Sequence, residues 1–490
     1  MKSPENLHFE LILFGASGDL ALRKLLPALY RRYTTAPFHA DSKIIGVSRS
    51  QLSREAYQQL VKDSLLKFLR PGEWQEDAWA RFSDTLHFVA VDAHNIDDYD
   101  SLKQILHQND QGQPRVVYLS TPSSLYGTIC SQLSQAALID ERTRLVLEKP
   151  VGRDLESAEA IHRQVAKYFK EEQTYRIDHY LGKETVQNLL VLRFANPLFE
   201  SLWNHHYIDH IQITIAESIG VEGRIEFYEE TGALRDIVQN HLLQLLCIVA
   251  MEPPPDINPD RVRDEKLKVL RSLRPINPTS IAHNVVRGQY RAGKIAGDIV
   301  CGYLDEVGMN SSSTTETFVA LKVMIDNMRW AGIPFYLRTG KRLPERLCQI
   351  VVQFKEIPHS IFQTSTQAVL SNKLVINLQP DESINLRLCG KRFGPGMEIR
   401  PIDLNLNPGA RNGKRPADAY ERLLVDVIHG DPTLFLRQDE LEQAWQWVAP
   451  ILNQWEKSSA PPDEYGAGSW GPSAATLLLA KDGKLWHEGS

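Results

Sequence analysis

Cysteine is scarce in this 490-residue chain. The five present (Cys130, Cys247, Cys301, Cys348 and Cys389) lie far apart, are odd in number and form no CxxC pair. That argues against a disulfide framework or a zinc ribbon and points to a reducing compartment, so a cytoplasmic protein is expected. Basic excess is missing too: the formal net charge is −6, so no nucleic-acid footprint covers the whole chain and any anionic ligand has to be gripped by a local cluster. The longest apolar stretch, "HLLQLLCIVAM", is too short and too polar to span a bilayer. "MKSPENLHFE" has no apolar segment after its lysine, so no signal peptide is expected. What remains is a globular composition, 42% hydrophobic and 24% charged, in a chain too long for one ordinary core.

The first third alternates short β-type runs with amphipathic helical ones. "FELILF" (9–14), "KIIGVS" (43–48), "LHFVAVD" (86–92), "RVVYLS" (115–120) and "RLVLEKP" (144–150) read as strands with helices between them. Strand–helix alternation at this spacing predicts an α/β doubly wound parallel sheet of Rossmann type over 1–182. The rhythm then changes to period-2 strands. Ile211, Ile213 and Ile215 share one face, as do Val319, Leu321, Val323 and Ile325, then Leu374, Ile376 and Leu378, then Ile384, Leu386 and Leu388. This pattern predicts a larger α+β domain over 183–490 with a mostly antiparallel sheet, one face packed and the other wetter. The helices in "GALRDIVQNHLLQLLCIVA" and "PADAYERLLVDVIHG" are expected to cover its packed face. "EPPPDINPD" (252–260) and "NPGARNGKRP" (407–416) are expected loops, and "SSAPPDEYGAGSWGPSAA" an irregular or surface-draped end.

"LILFGASGDLALRKLLPALY" reads as strand, glycine turn and helix. Gly15, Gly18 and Ala21 follow the small-residue logic of a dinucleotide fingerprint, in the variant GxxGxxA. Glycine lets the backbone turn tightly against a pyrophosphate seated on the helix N-terminus; the alternative is a glycine turn with no ligand. The second strand ends "IIGVSRSQ", with Ser48 and Arg49 and no acid. A hydroxyl and a guanidinium suit a 2′-phosphate, which favours NADP, with NAD the weaker alternative; otherwise Arg49 is an exposed loop residue. The fifth strand ends in Glu148, Lys149 and Pro150. Ligands of open α/β sheets sit outside the carboxyl ends of the strands, so Lys149 is placed where substrate and nicotinamide should meet.

"YRIDHYLGKE" (175–184) mixes charges and tyrosines too densely for a solvated loop or an ordinary core strand. It is no P-loop, since the cradling glycines and the Ser/Thr after the lysine are missing. His241 opens a nearly continuous apolar run and, alone, reads first as a hydrogen-bonded core histidine. Asp236, five positions earlier, is about 140° away on an α-helix, so the two are not expected on one face. "WNHHYIDHI" puts His206 and His210 at i,i+4, but the segment runs into a strand and no acid follows His206 as in HExxH, so no metal is assigned there.

Taken in order, "GASGDLA", "EKPVG", "RIDHYLGKE", "IAESIGVEGR", "GALRDIVQNH", "LRTGKRL" and a closing "YGAGSWGP" resemble the glucose-6-phosphate dehydrogenase family over essentially the whole chain. The resemblance implies NADP-dependent oxidation of glucose 6-phosphate at C1 to 6-phosphogluconolactone, the first oxidative step of the pentose phosphate pathway. It implies His241 as general base and Asp178 as the carboxylate that orients it. It places the phosphate grip on His179 and Lys183, with Tyr180 beside them, and sugar contacts on Lys149, Glu217, Asp236, Lys341 and Arg346. Coenzyme contacts carry over to Gly15, Ala16, Ser17, Gly18, Asp19, Leu20, Lys24, Ser48, Arg49, Asp92, Tyr126 and Lys149. The chain departs from the family's usual pattern at "YLSTPSSLY", just before Tyr126. A homodimer or homotetramer is implied, with a small phosphorylated sugar as ligand and neither nucleic acid nor membrane as partner.

The chemistry accounts for the crowded segment. Hydride leaves C1 only as the hydroxyl on it loses a proton; histidine titrates near working pH, and a carboxylate fixes its tautomer. A phosphate needs cationic donors at a set distance, and "DHYLGK" supplies an acid for one end of the sugar and His and Lys for the other. Two rivals share the fold plan. One is a sugar oxidoreductase of the glucose–fructose oxidoreductase type, which lacks "RIDHYLGKE". The other is a non-catalytic NADPH-sensing protein, which loss of His241 or Asp178 would have favoured.

Overall fold

The computed structural model describes residues 6–108, 110–362, 371–406, 418–458 and 460–488. The loop expected at 407–416 lies outside these described residues. The chain divides into two compact units. The first comprises Met1–Gly182, Asp256–Arg263 and Ala417–Glu442; the second comprises Lys183–Pro255, Asp264–Pro416 and Gln443–Ser490.

The first unit is built on β1 (Glu10–Phe14), β2 (Lys43–Ser48), β3 (Leu86–Ala90), β4 (Arg115–Leu119), β5 (Thr143–Leu147) and β6 (Thr174–Ile177). They run parallel in the order β6-β5-β4-β1-β2-β3, and the short strand Phe435–Leu436 pairs antiparallel with β6. Helices on both faces explain why β1 and β4 are buried at every position and read as unbroken apolar runs. Side-chain caps start two of these helices: Ser53 Oγ accepts from the Ala56 N–H (3.2 Å) and Asp154 Oδ1 from the Ser157 N–H (2.8 Å). Strand order reverses between β4 and β1, which puts the ligand crevice at their carboxyl ends.

The crowded segment begins as β6, because its one charge inside the strand is neutralised: the buried Arg176 guanidinium grips both oxygens of Glu171 at 2.6 and 2.9 Å. A second difference concerns "PADAYERLLVDVIHG". Its helix, Ala419–His429, belongs to the first unit, where Leu423, Leu424, Val427 and Ile428 share a core with Leu26, Leu29 and Tyr30. The expectation that it packs on the antiparallel sheet is corrected: its apolar face lies in the core of the first unit. An amphipathic pattern specifies that a helix has an apolar face, not which sheet that face meets.

The second unit contains β7 (Ile208–Ala216), β8 (Val285–Arg291), a ribbon of β9 (Gly293–Ile295) and β10 (Asp298–Val300), β11 (Phe318–Met324), β12 (Pro334–Gly340), β13 (Leu347–Phe354), β14 (Lys373–Gln379), β15 (Ser383–Lys391) and β16 (Ile399–Leu406). The large sheet runs β16-β15-β14-β13-β7-β12-β11-β8 and ends on the strand Asp463–Gly466. Pairing is antiparallel except at β7–β12 and at β8 with Asp463–Gly466. The helical stretch Leu234–Leu242 lies against β7, β11 and β12, as expected.

The alternation does not leave one face wet at the sheet centre. His210, Gln212 and Thr214 are buried along with the isoleucines between them, because the end of the chain covers them. Gln212 donates to the Leu485 carbonyl (2.8 Å) and accepts from the His487 N–H (2.8 Å), and the Arg338 guanidinium lies 4.3 Å from the Trp486 ring. The expected irregular end is therefore ordered as the strand Asp463–Gly466 and the helix Ser473–Ala480. The outer strand β16 keeps a wetter character, and most of it is exposed.

Candidate functional site

In the first unit, the candidate residues stand past the carboxyl ends of β1, β2, β3, β5 and β6, and Tyr126 opens the helix Tyr126–Gln135 that follows β4. Gly15 follows β1 with φ +80°, and a Cβ there would sit 2.3 Å from the Ser120 carbonyl oxygen, so only glycine fits. Its N–H and that of Ala16 donate to the Val47 carbonyl at 2.8 and 3.2 Å, pinning the turn to β2. Gly18 and Asp19 are exposed, Ser17 and Leu20 half-buried, and Lys24 exposed on the first turns of the following helical segment. Ser48 ends β2 half-buried and Arg49 is exposed beside it. A glycine turn at one strand end and an exposed arginine at the next fit a dinucleotide with a 2′-phosphate. Asp92 is exposed and its carboxylate accepts from the His94 N–H (3.0 Å).

Lys149 comes two residues after β5, on a strand end braced by tyrosines. Glu148 is buried; Tyr118 Oη donates to its Oε1 at 2.5 Å, Tyr420 bonds its carboxylate, and its Oε2 accepts from the Lys149 N–H at 3.3 Å. Burial nevertheless holds the Glu148 carboxyl above its ordinary range. Tyr126 is buried too, and its hydroxyl donates to the Glu148 carbonyl at 3.0 Å. That hydroxyl is committed to the strand end that carries Lys149. Asp178 follows β6 and is 1% exposed; its Oδ1 accepts from the Tyr180 N–H at 2.9 Å, which turns the chain sharply. His179 is half-buried, its ring 4.9 Å from that of Tyr180 and stacked at 6.3 Å on that of Tyr420.

In the second unit, Glu217 and Lys341 each follow a strand of the one central parallel pair, β7 and β12, whose last residues Ala216 and Gly340 are in register. The Lys341 Nζ donates to Glu217 Oε2 at 2.7 Å and lies 5.1 Å from the Tyr228 ring centroid. Asp236 and Glu217 both act electrostatically on Tyr228, whose hydroxyl burial pushes well above its ordinary range. Tyr228 therefore gathers three sugar candidates, and the sequence reading missed it because a lone tyrosine on a helix carries no distinguishing pattern. Lys183 is half-buried at the start of the helix Glu184–Phe194, and Arg346 is exposed just before β13. Both act on the buried Cys348 thiol, which burial pushes up to about 11.

His241 is completely buried and its N–H donates to Asn240 Oδ1 at 2.6 Å. Leu234–Leu242 is wound in wide turns with i→i+5 hydrogen bonding, not as an α-helix. In such turns residues five apart stand roughly one turn above each other, so the 140° separation expected for Asp236 and His241 does not apply. The widened turns are helped by Asn240, whose Nδ2 donates to the Arg235 carbonyl at 3.2 Å. Nothing in the local sequence signals this, since π-type winding depends on packing. In "WNHHYIDHI", His210 Nδ1 is 2.7 Å from Asp209 Oδ2 and its Nε2 is 3.0 Å from Gln212 Nε2, so its ring is already engaged.

Two family models account for nearly all of the chain: the glucose-6-phosphate dehydrogenase NAD binding domain matches residues 12–188, and the C-terminal domain matches 190–487. The chain belongs to the glucose-6-phosphate dehydrogenase family. It is 49% identical over 481 residues to the glucose-6-phosphate 1-dehydrogenase of Rhizobium meliloti (strain 1021), covering 98% of both chains. It is 47% identical over 484 residues to that of Mycolicibacterium smegmatis (strain ATCC 700084 / mc(2)155), again covering 98% of both. The structure resembles a glucose-6-phosphate dehydrogenase solved in complex with its substrate glucose-6-phosphate, at TM-score 0.90 and 33% identity over 100% of each chain. It also resembles the Mycobacterium avium enzyme, at TM-score 0.84 and 33% identity over 99% of each. The expected fold class, a Rossmann-type parallel sheet plus a larger domain with a mostly antiparallel sheet, agrees with these glucose-6-phosphate dehydrogenase structures. No described helix is long and apolar enough to cross a membrane.

Proposed function

We propose that this chain is an NADP-dependent glucose-6-phosphate dehydrogenase, oxidising D-glucose 6-phosphate at C1 to 6-phospho-D-glucono-1,5-lactone. The observation that carries the reading is full-length similarity, 49% over 481 residues, to a protein named for that reaction. The local geometry supports it: a glycine cradle and an arginine-ended second strand in one unit, a buried histidine on widened turns in the other.

NADP, when bound, supplies the hydride acceptor. Gly15, Ala16, Ser17, Gly18, Asp19 and Leu20 form the turn that receives its pyrophosphate, and Ser48 and Arg49 hold the 2′-phosphate. Lys24, Asp92, Tyr126 and Lys149 complete the coenzyme contacts, Tyr126 through the strand end that it braces. His241 takes the C1 hydroxyl proton, and a neutral imidazole is suited to that at working pH. By the resemblance, Asp178 is the carboxylate that holds its tautomer. His179 and Lys183 grip the phosphate, with Tyr180 beside them; Lys149, Asp236, Lys341 and Arg346 bind sugar hydroxyls, while Glu217 orients Lys341. We further propose cytoplasmic location, a homodimer or homotetramer, and functional domains at 1–182 and 183–490.

The test is NADPH absorbance with purified protein. Rapid reduction of NADP with glucose 6-phosphate, and feeble reduction with glucose, is the expected result. Turnover of unphosphorylated sugars alone would favour the glucose–fructose oxidoreductase reading, and NADPH binding without turnover the sensing one.

A further inference from the structure

At the amino ends of β1 and β2, opposite the coenzyme turn, His8, His39 and Asp41 converge. One ring nitrogen from each histidine and one carboxylate oxygen all lie within 4.8 Å of one another, the only such group among the described residues. The rings of His8 and His39 face each other with centroids 4.3 Å apart, tilted by 31°. His39 Nδ1 is 3.7 Å from Asp41 Oδ2. The His8 Nε2 atom is buried and has no hydrogen-bond partner among the described residues, a costly arrangement for a polar atom unless something binds it.

The backbone under the three side chains is fastened before any ligand arrives. The His39 N–H donates to the Leu7 carbonyl (2.8 Å), the Lys43 N–H to the Phe9 carbonyl (3.0 Å), and Ser42 Oγ to the Leu7 carbonyl (2.9 Å). Gln111 Nε2 donates to Asp41 Oδ2 at 3.4 Å, the kind of outer contact that orients a ligating carboxylate. Nearby charge is already balanced: Glu10 pairs with Lys43 (3.4 Å) and Arg115 (2.9 Å). Two imidazoles and a carboxylate are a borderline donor set, suited to Zn²⁺ and its neighbours rather than to Ca²⁺ or Mg²⁺. An ion about 2.0–2.2 Å from each donor in tetrahedral geometry needs donors roughly 3.3–3.6 Å apart. His39 and Asp41 are nearly there, and small side-chain rotations of His8 close the rest. The weak Asp41 N–H contact to His39 Nδ1, at 3.3 Å, is what the ion would displace.

We infer that His8, His39 and Asp41 form a binding site for a divalent transition metal of the zinc class, with water as fourth ligand, clamping the chain before β1 to the turn before β2. None of the three belongs to the catalytic or coenzyme machinery, so the site is structural and independent of the proposed reaction.

Metal-stripped full-length protein would be titrated with Co²⁺, following its visible absorption, and then with Zn²⁺ in competition. The expected result is one tight equivalent whose affinity falls at least tenfold in His8→Ala, His39→Ala and Asp41→Asn, outer-shell changes alone typically costing 10–100-fold. Zn²⁺ should raise the melting temperature of the wild type and not of the variants. Asp41→Asn keeps a side chain of the same shape, so it reports even if a histidine variant folds poorly. Dehydrogenase activity should be unchanged in folded variants. No Co²⁺ binding, or equal binding by wild type and all three variants, overturns the site.

Discussion

Lys341 Nζ and Glu217 Oε2 are 2.7 Å apart, one residue past the last paired positions of β12 and β7. A parallel strand pair thus delivers an acid and a base to the same end of the sheet, and the acid spends one oxygen on the base. Lys341→Ala should lower kcat/KM for glucose 6-phosphate by roughly ten- to a hundredfold, the worth of one charge-assisted hydrogen bond. Glu217→Gln should cost less and mainly raise KM, because it loosens the lysine without removing it. Steady-state kinetics on both variants decides, and a larger loss for Glu217→Gln would put the carboxylate itself on the sugar.

His241→Asn should leave folding and sugar-phosphate binding nearly intact while reducing turnover by at least about 10²-fold, since general-base catalysis contributes about 10²–10⁴. Turnover within tenfold of wild type would return His241 to the role of a core histidine. Ligand-induced thermal shift with glucose 6-phosphate checks binding separately.

Arg49 is exposed at the end of β2. Arg49→Ala should raise KM for NADP roughly ten- to a hundredfold more than KM for NAD, because only NADP carries the 2′-phosphate. Parallel assays with both coenzymes measure this, and equal increases would deny the contact.

Lys183→Ala should lower kcat/KM for glucose 6-phosphate by roughly ten- to a hundredfold while barely changing the feeble rate on glucose, which makes no phosphate contact. A lysine that only braced the fold would depress both sugars alike and lower the melting temperature.

Burial and the neighbouring Asp431 carboxylate push the Asp426 carboxyl up to about 7, against an opposing pull from Arg422. Its folded value lies above its unfolded one, so the stabilisation is complete below about pH 4 and is lost as pH rises towards 7. Asp426→Asn removes the charged form. It should stabilise the protein by roughly 2 kcal/mol at pH 8, allowing for partial solvent screening, and by little at pH 4. Denaturant unfolding at the two pH values tests the sign; an equal effect at both would show that Asp426 does not titrate in this range.

Local pattern was enough for several features. Apolar runs between amphipathic helices identified the parallel sheet, because a strand buried on both faces has no polar alternation to hide. Gly15 was legible for a steric reason, a positive φ with a carbonyl 2.3 Å from where Cβ would be. Absence was informative as well: no acid after β2, and a tight cluster of cations and tyrosines that no simple core or loop explains.

Long-range packing decided the rest. The helix Ala419–His429 looked like any amphipathic helix, and only its shared core with Leu26 and Tyr30 assigned it to the first unit. The inner polar face of β7 was buried by residues some 270 positions later, such as Leu485. Asp236 and His241 were separated by α-helical arithmetic, until the wide turns of Leu234–Leu242 changed the angle per residue. Periodicity is a property of neighbours along the chain, whereas helix winding, face coverage and the meeting of Glu217 with Lys341 depend on neighbours in space.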